Sequence, residues 1–136
     1  MKFLTLNTHS WMEENPQQKF EDLLKDILAK QYDVICFQEI NQTIESPVVP
    51  VNDLYHPTPS AEPIHQDHYV RCLVEKLEEE GLSYHWTWAY NHIGYDRYHE
   101  GVAILSRTPI QASELLVSDV NDPTDYHTRR VALAET

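Results

Sequence analysis

Two apolar runs end on a polar group that packing alone does not ask for: Phe3-Leu4-Thr5-Leu6 leads into Asn7, and Val34-Ile35-Cys36-Phe37-Gln38 leads into Glu39. A strand buried on both faces favours Val, Ile, Leu and Phe, so a carboxamide and a carboxylate at such tips need partners for dipole and charge. Oxygen donors suit a hard divalent cation, and ligands gather at the carboxyl ends of strands in open α/β sheets. Taken alone, the two residues are slightly better explained by Asn7 opening a turn and Glu39 facing solvent. A third polar group, Tyr95, Arg97, His99 and Glu100, stands just ahead of Gly101 and the apolar run Val102-Ala103-Ile104-Leu105.

The elements that must hold these residues can be read around them. Residues 2–7 have the composition of a strand. Asn15-Pro16 then opens a helix, with Pro16 suited to its first position. Phe20, Leu23, Leu24, Ile27 and Leu28 recur at three- and four-residue intervals, while Lys19, Glu21, Asp22, Lys25 and Asp26 fill the other face, which predicts an amphipathic helix to about Gln31. A strand over Asp33–Ile40 completes a right-handed crossover unit whose parallel strands would bring Asn7 and Glu39 to one edge. From Asn41 to Gln66, five prolines among Ser, Thr, Asn and Asp predict a long irregular excursion. Asp67 is the expected cap of a second helix bearing Val70, Leu73, Val74 and Leu77 and stopped by Gly81. Tyr84, Trp86, Trp88 and Tyr90 alternate as one face of a strand. Gly101–Ser106 reads as a buried strand, Glu114–Val117 as an edge strand, and Arg130–Ala134 as the start of another.

The N-terminal strand ending in Asn7, the string Asp33-Val34-Ile35-Cys36-Phe37-Gln38-Glu39, and the later Glu100-Gly101-Val102-Ala103-Ile104-Leu105-Ser106-Arg107 together resemble the endonuclease/exonuclease/phosphatase family, which includes DNase I-like nucleases, neutral sphingomyelinases and inositol polyphosphate phosphatases. The resemblance runs over the whole chain, from Met1 to Thr136. It implies an α/β fold, half of a DNase I-like four-layer α/β/β/α sandwich, with a mixed sheet and flanking helices; residues 1–136 would be a single domain, C-terminally incomplete. It further implies that Glu39 is a ligand of Mg²⁺, with Mn²⁺ as a substitute, and that Asn7 lies in or beside the coordination sphere. Tyr95, Arg97 and His99 fall where members place groups that touch the substrate phosphate or its head group, and they are the expected catalytic residues. Arg97 suits bidentate contact with phosphate oxygens, and His99 suits donation of a proton or hydrogen bond to them. Glu100 is open between touching the site and orienting Arg97, and an ordinary loop remains the competing reading for all four. The family's closing Gly-Asp-x-Asn and Ser-Asp-His segments do not occur here, so the Asp/His pair that activates the attacking water is expected from a second half.

Composition narrows the function further. With 22 acidic against 10 basic side chains the formal charge is −12, which repels polyanions and disfavours duplex DNA relative to a small phosphorylated molecule or a lipid head group. What the resemblance implies is a divalent-metal-dependent phosphoester hydrolase, and the charge only leans among its substrates. A non-catalytic scaffold or interaction module of the same fold, self-associating through an incomplete sheet, is the alternative, and a nuclease the second alternative. Cys36 and Cys72 fall in apolar settings that suit reduced thiols, and no run is long enough for a secretory core or a membrane span, so a cytoplasmic protein is expected. His9 and the pair Arg129 and Arg130 are lesser candidates for the same mouth. The spacings His65/His68 and His85/His92/His99 invite a zinc reading but lack a matching second pair of donors. Trp86 and Trp88 read as core packing before a base-stacking platform.

Overall fold

The computed structural model describes residues 1–136. The chain begins β1 (Phe3–Asn7), a single 3₁₀ turn (Ser10–Met12), α1 (Pro16–Lys30) and β2 (Val34–Thr43). Pro16 sits in the first turn of α1, and Gln31 ends it in the left-handed region at φ 50°. β1 and β2 are parallel, in a register that runs from Phe3 opposite Val34 to Asn7 opposite Gln38. The crossover thus brings Asn7 within one residue of Glu39 along the same sheet edge, as the pattern predicted.

After the irregular stretch come α2 (Tyr69–Glu79), β3 (His85–Gly94), β4 (Tyr98–Ser106), β5 (Gln111–Leu116) and β6 (Arg130–Glu135). Strands β1, β2, β4 and β3 form a mixed sheet in that order, antiparallel at β2/β4 and β4/β3, and β5 pairs with β6 in a separate antiparallel sheet. Several boundaries differ from the sequence reading: β3 runs on past Tyr90 to Gly94, and β5 is Gln111–Leu116 where Glu114–Val117 was expected. β2 runs through Thr43, and β4 begins at Tyr98, so Gly101 lies inside a strand. The cap of α2 is His68, whose ring accepts from Arg71 N, because the Asp67 carboxylate is already taken by Thr43 N at 3.0 and 3.2 Å.

The core lies between the sheet and the two helices. Phe20 and Ile27 of α1 and Val70, Leu73 and Leu77 of α2 pack with Ile35, Phe37 and Ile40 of β2, Trp86 and Trp88 of β3, and Leu105 of β4. Each such side chain stabilises the fold by about 1.5–3 kcal/mol when fully buried. Trp88 is completely buried and donates its indole N–H to Ile40 O at 3.1 Å, which makes it packing with one satisfied polar atom. On the other face, β6 lies against β3 and β4. Phe3, Leu115 and Val117 are more than half exposed, so the second sheet covers only part of the first. This is a partial domain of the two-layered sheet architecture. No helix is long and apolar enough to cross a membrane.

Candidate active site

Glu39 is not an ordinary strand residue. Gln38 and Glu39 together oppose the single Val102 of β4, a β-bulge, and Glu39 sits at φ 56°. A left-handed conformation costs an L-residue about 1–2 kcal/mol, so something must hold it. The clamp comes from the turn after β1: Ser10 Oγ donates to Glu39 O at 2.7 Å, and Thr8 Oγ1 lies 3.4 Å from the same oxygen. The bulge turns the Glu39 side chain, 43% exposed, into a cleft of about 470 Å³ whose wall includes Asn7 and Glu100. Bulges re-aim side chains in this way at strand ends and binding sites.

A second bulge faces the first across β4. Tyr90 pairs with Gly101 and His92 with Glu100, so Asn91 is the extra residue and His92, not Asn91, becomes Glu100's partner. Between the bulges sits Gly101, where a Cβ would stand 2.1 Å from Ala89 O and 2.9 Å from Trp88 Nε1. Only glycine lets β3 close this tightly on β4, and that closeness sets the cleft floor. Asn41, on β2 directly opposite Glu100, is fully buried with neither side-chain polar atom bonded to protein.

The polar groups that converge here are partly those expected. His9 Nε2 lies 3.4 Å from Glu39 Oε2, and Asn7 Oδ1 accepts from His9 N at 3.2 Å. His92 Nε2 lies 3.3 Å from Glu100 Oε2, and Arg129 Nη1 lies 2.8 Å from His92 Nδ1. An adjoining lobe of about 430 Å³ shares Glu39, Glu100 and Arg129 and is flanked by the exposed rings of Tyr95 and Tyr126. Arg130 is spent on structure, donating to Tyr90 O at 3.1 Å and to Asn121 Oδ1 at 2.7 Å.

Of the three expected catalytic residues, none lines the cleft itself and Tyr95 alone borders the adjoining lobe. Arg97 lies outside it, in the β3/β4 turn with its guanidinium 5.3 Å from the Tyr98 ring centre. His99 points to the helix-covered side of β4, where Gln42 Nε2 stands 3.1 Å from its Nδ1 and the rings of His65 and Tyr90 meet it edge-on. Burial holds the His99 pKa below the usual value, with Glu62 pulling up and His65 pushing down. Glu100 does not orient Arg97; it turns to His92. Sequence alone does not point Asn91 or His92 to this cleft, and it makes His9 and Arg129 only lesser candidates. The signal that would have found His92 is the bulge, which two-residue periodicity does not reveal.

Nowhere do three or more His, Cys, Asp or Glu side chains converge to hold a metal by themselves, and the histidine spacings noted in the sequence do not form such a group. The donors Glu39 and Asn7 do fit Mg²⁺: both offer oxygen, and that ion is typically held by one or two carboxylates, with waters and substrate phosphate completing its octahedron.

A model of the endonuclease/exonuclease/phosphatase family matches residues 10–136. An endonuclease/exonuclease/phosphatase family protein from Leptotrichia buccalis superposes with a TM-score of 0.83 at 33% identity, over 97% of this chain and 47% of that one. An endonuclease/exonuclease/phosphatase from Beutenbergia cavernae aligns more loosely, with a TM-score of 0.46 at 16% identity over 85% of this chain and 28% of that one. The human Protein turtle homolog B is 25% identical over 147 residues, 99% of this chain and 11% of that protein. The chain thus spans about half the length of the solved structure it matches well, and about a tenth of the curated relative.

Proposed function

Because the chain belongs to the endonuclease/exonuclease/phosphatase family, we propose that it carries the metal anchor and part of the phosphate cradle of a divalent-metal-dependent phosphoester hydrolase. Members of the family generally use divalent metals. Glu39 and Asn7 would hold Mg²⁺, or Mn²⁺ in its place. Once bound, the ion supplies a Lewis acid for phosphoryl and leaving-group oxygens. The observation that carries the reading is the β2 bulge, which holds Glu39 at a strained φ of 56° in the cleft that Asn7 and Glu100 also line. Strain of this order inside an interior strand, clamped by two hydroxyls, is hard to account for by packing.

The chain's own residues have separable tasks. Arg129 Nη1 is committed to His92, Thr128 O and Tyr126 O, which leaves Nη2 and Nε to meet phosphate oxygens. Glu100, held on one oxygen by His92, offers the other to a water or hydroxyl proton in the cleft. Tyr95 and Tyr126 border the lobe where the rest of the substrate would lie. The formal charge of −12 favours a small phosphodiester, a phosphomonoester or a lipid head group over nucleic acid.

The test is hydrolysis of a nitrophenyl phosphate ester with and without Mg²⁺, alongside Mn²⁺ binding followed by electron paramagnetic resonance. Glu39→Gln is expected to abolish Mn²⁺ binding and lower turnover by at least about 100-fold with folding intact, beyond the 10- to 100-fold typical of groups that only support a metal ligand. Unchanged turnover and unchanged Mn²⁺ affinity in that variant would overturn the reading. A second reading, an interaction module of the same fold, is favoured by the exposed Phe3, Leu115 and Val117. It expects no turnover and a concentration-dependent sedimentation coefficient.

A further inference from the structure

Resting on the reading of the cleft as a phosphoesterase site, we infer that His92 is a positioning residue: it transmits the docking of the 117–129 segment, through Arg129, to the carboxylate of Glu100. His92 is 7% exposed, so each of its nitrogens must be satisfied by protein or by ordered water. Nδ1 has two neighbours, Arg129 Nη1 at 2.8 Å and Thr128 O at 3.2 Å. A guanidinium nitrogen can only donate and a carbonyl oxygen can only accept, so the two neighbours demand opposite roles from Nδ1. Arg129 is the closer and carries charge; its Nη1 has two protons for three acceptors, one going to Tyr126 O and the other shared between Thr128 O at 3.1 Å and Nδ1, while on the far side of the ring the carboxylate of Glu100 can only accept from Nε2. Nδ1 therefore accepts, the ring proton resides on Nε2, and that proton faces Glu100 Oε2 at 3.3 Å.

The backbone is arranged to bring this about. Were β3 to continue from Tyr90 without a bulge, Asn91 would stand opposite Glu100 and His92 opposite His99, on the helix side. The inserted residue is itself used, since Asn91 Oδ1 accepts from Arg130 N at 2.5 Å and so pins the start of β6. Ile93 N donates to Pro123 O at 2.7 Å, one residue beyond His92, and fastens the middle of the segment to the same stretch of β3. Inside the segment, Thr128 Oγ1 and the Asp122 backbone exchange bonds of 2.6 and 3.1 Å, so Arg129 arrives on a formed turn. Arg129, His92 and Glu100 thus lie in one line from that turn, through β3, to the central strand.

Their consequence is directional. Arg129 fixes which nitrogen of His92 bears the proton, and that proton fixes which oxygen of Glu100 is occupied. The remaining oxygen is left to the cleft in one orientation. His92 itself borders the cleft but has no free polar atom, so it acts through Glu100.

The experiment uses the full chain and two variants that each keep half of the imidazole. His92→Gln can place an amide N–H where Nε2–H was, whereas His92→Asn can replace only the Nδ1 side. In nitrogen-15 spectra of the histidine-labelled wild type at neutral pH, the His92 ring is expected as the Nε2–H tautomer; an Nδ1–H tautomer or an imidazolium overturns the inference. The Glu100 carboxyl carbon shift is expected to move in His92→Asn and stay near the wild type in His92→Gln; no movement in either also overturns it. In turnover of the nitrophenyl ester, His92→Asn should lower kcat by about 10- to 100-fold with KM little changed, and His92→Gln should recover most of the loss. Equal loss in both variants, or none, contradicts a positioning role. If the wild type neither turns over ester nor binds Mn²⁺ through Glu39, the phosphoesterase reading has failed, and the tautomer and carboxyl shifts still decide the coupling.

Discussion

His99 and Glu100 are neighbours in the chain and stand in opposite chemistries. On the helix-covered side of β4, His99 belongs to a closed polar circuit. Gln42 Oε1 accepts from His65 N at 2.7 Å, its Nε2 reaches Pro63 O at 2.9 Å and His99 Nδ1 at 3.1 Å, and His65 Nδ1 meets Thr43 O at 3.0 Å. That circuit fastens the loop after β2 to the sheet. On the other side, Glu39, Glu100 and Arg129 each hold a protein partner with part of the side chain and turn the remainder to an open cleft. A site for chemistry is marked less by how many titratable groups gather than by how many keep a free valence.

The sharpest way to break the contrast is at the residue both sides share. Gly101→Ala would drive a methyl to 2.1 Å from Ala89 O, backbone that cannot rotate away. We expect a loss of about 3 kcal/mol or more in urea denaturation, at the upper end for overpacking, because β3 must separate from β4 along with both faces. A variant within about 1 kcal/mol of wild type would show that the two bulges are not locked to this close approach.

The next effect belongs to the helix side and depends on pH. His68 is fully buried, its Nδ1 accepts from Arg71 N at the start of α2, and burial lowers its pKa to about 3. The folded state therefore refuses a proton that the unfolded chain accepts near pH 6.5. The stabilising contribution is full above pH 6.5 and declines as pH falls toward 3, by up to about 1.4 kcal/mol per pH unit. His68→Asn keeps a cap acceptor and cannot titrate. Denaturation at pH 7 and pH 5 should show the wild type losing about 2 kcal/mol more than the variant; equal losses would mean that His68 is protonated in the fold.

These two residues also show what the sequence could and could not tell. Pro16, the helical spacing from Phe20 to Leu28, and two apolar strands placed Asn7 and Glu39 at one sheet edge, because a right-handed crossover leaves few alternatives. What could not be read was parity. One extra residue in β2 and one in β3 shift every side chain beyond them to the other face, which is how His92 reaches the cleft. β4 has no bulge, and plain alternation from Leu105 through Ala103 and Gly101 puts His99 on the helix side, although proximity in sequence groups it with Tyr95 and Arg97. Gly101 was visible as a glycine but read as a strand start, since the clash it avoids involves Ala89, twelve residues away. Asp67 was the natural cap by type, yet the end of β2 left Thr43 N–H in need of an acceptor and took it. Local propensity gives way where a distant unpaired backbone group competes for the same side chain.

A smaller effect, opposite in sign, sharpens the cleft side of the comparison. Glu39→Gly removes an L-residue from φ 56°, relieving about 1–2 kcal/mol, and returns part of it as added freedom of the unfolded chain. The net expectation is a gain of about 0.5–1 kcal/mol in stability together with loss of Mn²⁺ binding. Stability falling by more than that would mean that the carboxylate contributes to packing, and the strain argument for function would be lost.

The smallest effect is expected at His99, and it tests whether the two faces are separate. His99→Leu removes the acceptor that Gln42 Nε2 meets at 3.1 Å, but Gln42 keeps Pro63 O, so the donor is not orphaned. His99 is half-buried, and leucine supplies apolar contact with the rings of Tyr90 and His65, which offsets the lost hydrogen bond. We expect a stability cost of about 0.5 kcal/mol and turnover within about twofold of wild type. A large fall in kcat with stability preserved would connect the helix side of β4 to the chemistry. It would restore to His99 the catalytic role that its place beside Glu100 in the sequence suggests, and the division of the sheet into a fastening face and a reacting face would have to be abandoned.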